Sequence, residues 1–384
     1  MTGTGRRPKE RLTSSSTLST NAKPVVNEAK SVGHAVMNAT VRDVARKAGV
    51  SAMTVSRVIN GGEGVRPETR RRVEHAVTEL DFVPNGVARG LMSSKTGALG
   101  LIVPDIGNPF FATVVRGAES VARRAGYRIL LCNSEGDLAL ERQYIEDMIA
   151  HRVEGLLIAP LGDQSKPNLL LLARRRFPFV LIDRSVPGLN CDLVQADGLA
   201  GARKLVGHLL GIGYRRIAAI VEPDNVSTAR DRVQGYREAH REARVKVSPE
   251  LIIRTTADRA GGYTGMQKIL DLPRLPEAVF AVNNMTALGA MQAIRERGLV
   301  VPKDIALVCF DDVEHLAVLS PFLTVINQPT ESFGTLSSQL LLERIRGEGG
   351  ELARRVVLDA VLIVRESCGA KARQELVRGE AATR

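Results

Sequence analysis

Two hydrophobic periods divide the chain. Between residues 40 and 80 the apolar positions recur every three to four residues, the spacing that gathers them on one face of a helix. Val41, Val44, Ala45 and Ala48 share such a face, as do Val55, Val58 and Ile59. From Gly97 onward, short apolar runs alternate with amphipathic segments. The runs are ALGLIV, YRILLCN, GLLIAP, FVLIDR, RIAAIV, AVFAVNN and IALVCF, separated by stretches such as FFATVVRGAESVARRAG and LERQYIEDMIAHR. Buried strands alternating with helices predict repeated βαβ units and parallel sheets. About ten strands in ~270 residues exceed what one compact sheet commonly holds, so two α/β lobes with a cleft between them are expected.

The predicted fold class is therefore α/β: a body of two doubly wound parallel sheets behind a small all-α head. The expected divisions are a disordered Ser/Thr/Lys/Arg-rich tail at 1–38, a helix-turn-helix domain at 39–84, and a short helix with linker at 85–96. The body is expected at 97–368. Its first lobe takes about 97–196 and 329–356, its second about 197–328 and 357–368, and a flexible tail follows at 369–384.

The segment TVRDVARKAGVSAMTVSRVIN carries the sharpest local signals. Thr40 can cap a first helix, with Asp43 at the capping-box position. Gly49 supplies a left-handed turn residue, and Ser51 caps a second helix. The outward positions of that helix are Ala52, Met53, Thr54, Ser56, Arg57 and Asn60, short or planar groups that fit a DNA major groove. Arg57 can make a bidentate contact with guanine. Ser51, Thr54, Ser56 and Asn60 can hold phosphates, and Ala52 and Met53 can touch thymine methyls. A third helix, from near Pro67 to Leu80, closes the core. An ordinary helical hairpin with a polar outer face is the competing reading at this point.

Charge sharpens the choice. The net charge is +11, and residues 1–96 hold 16 Lys/Arg against 8 Asp/Glu. A basic end on a nearly neutral body suits a polyanion, because Lys and Arg release counterions from phosphates. No apolar run approaches the roughly 20 residues that span a bilayer, and no apolar core follows the basic N-terminus as a secretory signal requires. A cytoplasmic protein with no membrane partner is expected. Cys132, Cys191, Cys309 and Cys368 lie far apart with no CxxC spacing, which fits buried thiols in a reducing compartment. There is no Walker A loop, dinucleotide fingerprint, GxSxG elbow or metal-ligand spacing. No cofactor, no metal and no catalytic residue are expected.

The run from Thr40 to Thr96 resembles the N-terminal module of the lactose-repressor (LacI/GalR) family, through DVARKAGVS, TVSRVIN, the third helix and FVPNGVARGL. The resemblance extends through the body to about residue 367. It implies that Ala52 and Met53, the first two residues after the turn serine, read bases with Arg57 beside them. It also implies that Asn85 to Met92 fold on operator DNA into a hinge helix, with Leu91 wedged between base pairs in the minor groove. Gly90 departs from the family's commoner polar residue, and glycine costs about 1 kcal/mol in a helix.

In open α/β sheets the strand C-termini face the crevice. That rule selects Asn108, Phe110 and Phe111 after the first strand, Asp183 and Arg184 after FVLI, and Arg232 in the helix after RIAAIVE. It also selects Asn283 and Asn284 after AVFAV, Asp311 and Asp312 after VCF, and Gln328 at a crossover. Carboxylates, amides and guanidinium groups suit a polyhydroxy ligand, and aromatics suit its apolar faces. Phe110 is the better ligand platform and Phe111 the better core residue, while Arg230 and Asp231 are expected to be solvated. This set resembles the periplasmic sugar-binding proteins, particularly the pentose type. On that resemblance Asn108, Phe110, Phe111, Asp183, Arg184, Arg232, Asn283, Asp311 and Gln328 all fall on ligand-contact positions, which favours a pentose-like effector over a purine. Asn284 stands where the family usually has Asp.

The expected function is a homodimeric repressor of double-stranded operator DNA, relieved by a small sugar effector. A corepressor-dependent regulator, a transporter's periplasmic-type sugar-binding protein and an enzyme on a doubly wound fold are the alternatives. No leucine heptad follows residue 367, which favours a dimer over a tetramer.

Overall fold

A computed structural model describes residues 39–83, 96–312 and 322–370. The expected tail at 1–38, the hinge helix with Asn85 and Leu91, and residues 371–384 lie outside the described residues. The chain forms two units, a head within Met1–Asn85 and a body within Gly86–Arg384.

The head contains three helices: α1 (Val41–Ala48), α2 (Ala52–Ile59) and α3 (Pro67–Glu79). Thr40 and Asp43 form the reciprocal capping box at α1, satisfying donors that a helix N-terminus leaves open. Gly49 ends α1 with φ of 63°, a left-handed conformation that glycine adopts without steric cost. Ser51 caps α2 through the Thr54 amide. Val44, Ala45, Ala48, Val55, Val58, Val73, Ala76 and Phe82 form the core. The exposed C-termini of the first two helices are closed by arginines of the third. Arg72 donates to the carbonyls of Ala48 and Gly49, and Arg70 to those of Val58 and Gly62.

The body runs β1 (Ala98–Val103), α4 (Pro109–Arg124), β2 (Arg128–Asn133), α5 (Leu138–Ala150), β3 (Leu156–Ile158), α6 (Lys166–Arg174), β4 (Phe179–Ile182) and β5 (Asp192–Ala196). It then crosses to α7 (Gly198–Gly211), β6 (Ile217–Val221), α8 (Ser227–Glu242), β7 (Ile252–Arg254), α9 (Arg259–Leu270), β8 (Ala278–Ala281), α10 (Asn284–Glu296), β9 (Ala306–Phe310) and β10 (Thr324–Asn327). The chain returns through α11 (Thr330–Arg346) and β11 (Arg355–Leu358) and ends in β12 (Val361–Ile363). The first sheet has the order β11-β5-β4-β3-β1-β2 and the second β12-β10-β9-β8-β6-β7. All neighbours pair in parallel except β10 and β12. The chain therefore passes three times between two α/β lobes.

Three local expectations need correction. Val357 and Leu358 pair with β5, so the last crossing falls at Asp359–Ala360 and not after residue 356. The C-terminal segment stays packed through Ala370, which is buried in the second lobe's core, so the flexible tail does not begin at 369. Strand β2 is an edge strand, and its Leu130 and Leu131 are exposed. Glycines let α4 and α11 approach closely. A Cβ at Gly334 would run into the Val114 carbonyl, and one at Gly117 into that of Glu331.

Candidate functional site: a cleft between two lobes and an exposed helix

The carboxyl ends of the body's strands meet in one cavity. It is lined by Asn108, Phe110, Phe111, Asp183, Arg184, Glu222, Thr228, Arg232, Asn283 and Asp311. Eight of the nine expected ligand positions are among them. The free space is about 20 Å3, roughly enough for one water, so the lobes are closed on each other. Two larger hollows along α8 are open and share the exposed Arg237.

Both carboxylates at the heart of the cavity end a strand in a left-handed turn: Asp183 has φ of 66° and Asp311 of 73°. Such conformations cost non-glycine residues roughly 1–3 kcal/mol, and aspartate is among those that tolerate them best. Burial pushes the Asp311 carboxyl up to about 6, against the pull of Arg232 and of Gln328. Burial raises Asp183 as well, opposed by Arg184 and Arg232 and reinforced by Glu222.

Arg232 is buried. Its guanidinium lies 3.9 Å from the Phe310 ring centroid, a cation–π contact, and Nη1 donates to the Val282 carbonyl at 2.7 Å. Arg184 joins the lobes: it donates to the carbonyls of Pro160 and Leu161 and, at 3.1 Å, to Glu222 Oε1. Among the described residues, Arg184 Nε, Arg232 Nε, Asn284 Oδ1 and Gln328 Oε1 are buried without a hydrogen-bond partner. Leaving such groups unpaired costs roughly 1–3 kcal/mol each, so they are open to a ligand that pairs them.

Gln328 does not line the cavity. It donates to Asp311 Oδ1 and so holds that carboxylate in place. Asn283 lines it, yet its amide is engaged in capping α10 and in donating to the Ala257 carbonyl. Asn284 departs from the family's Asp but still bonds across the cleft, donating to Asn108 Oδ1 at 3.0 Å. Phe110 and Phe111 pack edge-to-face at 5.0 Å, and Phe110 packs similarly on Phe333. Both rings therefore serve the core as well as the cavity wall. Arg230 is not simply solvated: it forms a two-pronged bridge to Asp163 of the first lobe, at 2.7 and 3.2 Å. Asp312 pairs with Arg365, and no group of metal-binding side chains occurs among the described residues.

Two lining residues escape the sequence reading. Glu222 directly follows β6, where the strand-end rule reaches it as readily as Asp183. Thr228 lies one turn before Arg232 on α8 and carries no signal of its own. The four cysteines are free. Burial pushes the Cys191 thiol up to about 12 and Cys309 well above the usual thiol range, which leaves these two as inert thiols.

In the head, Ser51, Ala52, Met53, Arg57 and Asn60 are exposed along α2, with Thr54 and Ser56 half-buried between them. Two of these polar groups also bond locally. Thr54 Oγ1 lies 2.9 Å from Ser51 Oγ, and Asn60 donates to Ser56 Oγ at 3.3 Å. Thr40 is exposed and its hydroxyl donates to Asp43.

Comparison with known proteins covers both units. The family model described as periplasmic binding proteins and sugar binding domain of LacI family matches residues 96–366. That described as bacterial regulatory proteins, lacI family, matches residues 40–85. A ribose operon repressor of Haemophilus influenzae is 36% identical over 329 residues, covering 86% of this chain and 98% of the relative. The HTH-type transcriptional repressor PurR of Aliivibrio fischeri is 36% identical, covering 83% and 94%. Among solved structures, the lac repressor dimer bound to operator and the anti-inducer ONPF is similar with a TM-score of 0.75 and 28% identity, covering 86% of this chain and 99% of that one. A complex of the transcriptional regulator CelR with cellobiose is similar with a TM-score of 0.65 and 32% identity over the same shares. No helix among the described residues is long and apolar enough to cross a membrane. With its head and its body each matched by a model of one family, the chain belongs to the LacI family of bacterial regulatory proteins and is a DNA-binding transcriptional repressor.

Proposed function

We propose that the body senses a small polyhydroxy effector of the pentose type, and that this effector relieves repression. The observation that carries the reading is the cavity itself. Carboxylates, guanidinium groups and aromatic edges from both lobes converge on it, with four buried polar atoms in or beside it lacking partners. Each ligand hydroxyl can donate to Asp183 or Asp311 and accept from Arg184 or Arg232. Two similar proteins, a ribose operon repressor and a transcriptional regulator in complex with cellobiose, point to carbohydrates. The body binds its ligand without turning it over and works in the cytoplasm.

The closed cavity admits a sugar only when the lobes part. Ligand binding thereby changes the lobe angle, and with it the setting of two heads on DNA. Such linkage typically amounts to about 1–3 kcal/mol. In this reading a homodimer places one α2 in each major-groove half-site of a near-palindromic operator. Arg57, Ala52 and Met53 face the bases, and Thr40, Ser51, Thr54, Ser56 and Asn60 lie near phosphates. Asn85 and Leu91 belong to the hinge. A lac repressor solved as a dimer on its operator supports that assembly.

A thermal-shift screen of the intact protein over pentoses, hexoses, polyols and nucleosides tests the ligand class, because a ligand bound only by the folded state raises the midpoint. A pentose or pentitol is expected to do so, and Arg232→Ala to abolish the shift. A response confined to nucleosides contradicts the reading.

A further inference from the structure

Glu222 has no part in the ligand set derived from strand ends and family resemblance, yet it is buried in the cavity wall. It directly follows β6 in the second lobe and receives Arg184 of the first lobe at 3.1 Å. With it, the ionisable lining comprises three carboxylates, Asp183, Glu222 and Asp311, against two guanidinium groups, Arg184 and Arg232. Both arginines are partly engaged, although the Nε of each lacks a hydrogen-bond partner. Arg184 is engaged by Glu222 and two backbone carbonyls, and Arg232 by the Val282 carbonyl and the face of Phe310. A second anion entering this enclosure meets excess negative charge at low dielectric, where like charges repel far more strongly than in water.

We propose that Glu222 is a specificity-determining residue, which restricts the effector to uncharged polyhydroxy compounds and excludes their phosphorylated or acidic counterparts. The inference rests on the sugar-sensing reading above. Glu222 accomplishes this in two ways. Its charge opposes an incoming phosphate or carboxylate. Its hold on Arg184 Nη2 occupies one of the N–H groups that a two-pronged contact with such a group would use, leaving Nε alone. Burial is the main cause of the raised Asp311 carboxyl, and Asp183 and Glu222 add a smaller upward push. A donor-rich ligand relieves this crowding of carboxylates, because its hydroxyls supply protons to carboxylate oxygens that cannot pair with one another.

The test compares D-ribose, ribitol, ribose 5-phosphate and ribonate on the intact wild-type protein and on Glu222→Gln, by calorimetry and thermal shift at pH 7.5. Glutamine keeps an acceptor for Arg184 and removes only the charge. The wild type is expected to bind a neutral compound and to discriminate against its charged counterpart. Glu222→Gln is expected to narrow that discrimination at least about tenfold. Glu222→Asp, which restores the charge, should restore it. If the wild type binds a neutral sugar and Glu222→Gln discriminates as strongly as before, the role of Glu222 is refuted while sugar sensing stands. Preference of the wild type for the phosphate or the acid also refutes it. If none of the four binds any variant, the pentose reading itself fails and this inference falls with it.

Discussion

Asp311 sits where burial and neighbouring charge oppose each other. Its carboxyl is pushed up to about 6, so between about pH 4 and pH 6 the folded body holds a proton that the unfolded chain has released. This contribution to stability is complete below about pH 4 and is lost as pH rises through about 6. It amounts to no more than about 3 kcal/mol. Asp192 shifts the other way, held low by Arg344 and Arg354 against its burial, so the whole-protein profile mixes the two. The difference between wild type and Asp311→Asn isolates the effect: chemical unfolding from pH 4 to 7 should show the wild type losing stability relative to the variant. A parallel pair of curves would remove Asp311 as its source. In the head, Arg57→Ala should cost about 1–3 kcal/mol on a selected operator and relax the preference at one base position, as read by binding-site selection from random duplexes. Which residues meet in the cleft was largely legible, because strand ends in a parallel sheet share one edge. What each side chain does there was not. Nothing in the spacing says that Gln328 supports Asp311 or that Arg230 reaches Asp163, since these pairings depend on long-range approach, whereas the Asn283 cap is a local contact with Thr286 that the strand-end rule passed over.

At the scale of elements, helical periodicity in the head was readable because one small core demands one face from each helix. The arginine caps were not, since Arg70 and Arg72 lie in a charged run whose direction only packing decides. Continuous apolar strands were equally plain, whereas β5, β11 and β12 were hard to see. DLVQA carries polar residues yet is wholly buried, because Asp192 pairs with Arg344 and Arg354. The other two strands are short and half-exposed at sheet edges. The close crossing of α4 and α11 makes a further expectation. Gly334→Ala places a methyl against the Val114 carbonyl and must spread the helix pair. Overpacking of this kind costs about 1–3 kcal/mol, so a clear drop in the unfolding midpoint of the body is expected. Because α4 begins at Asn108 and Phe110, effector affinity should fall as well. An unchanged midpoint would mean that the helices yield freely.

At the scale of the whole molecule, basic charge concentrated toward the N-terminus, and the alternation of strands and helices foretold two units with different tasks. The three crossings between the lobes give the body a cleft that closes through direct bonds. Asn284 reaches Asn108, Arg184 reaches Glu222, Ser227 accepts from the Ser185 amide, and Arg230 reaches Asp163. These bonds bias the lobe angle before any ligand arrives, and a ligand changes it only by its differential affinity for the two settings. The central claim is that occupancy of this cleft governs the grip of the heads on DNA. It is tested most directly by gel-shift titration of the intact protein on its selected operator, with and without a pentose that binds. The account predicts that the pentose weakens the operator complex by roughly 5–150-fold and that Arg232→Ala binds operator normally but ignores the pentose. Strengthened binding, or an undiminished response in Arg232→Ala, would contradict it.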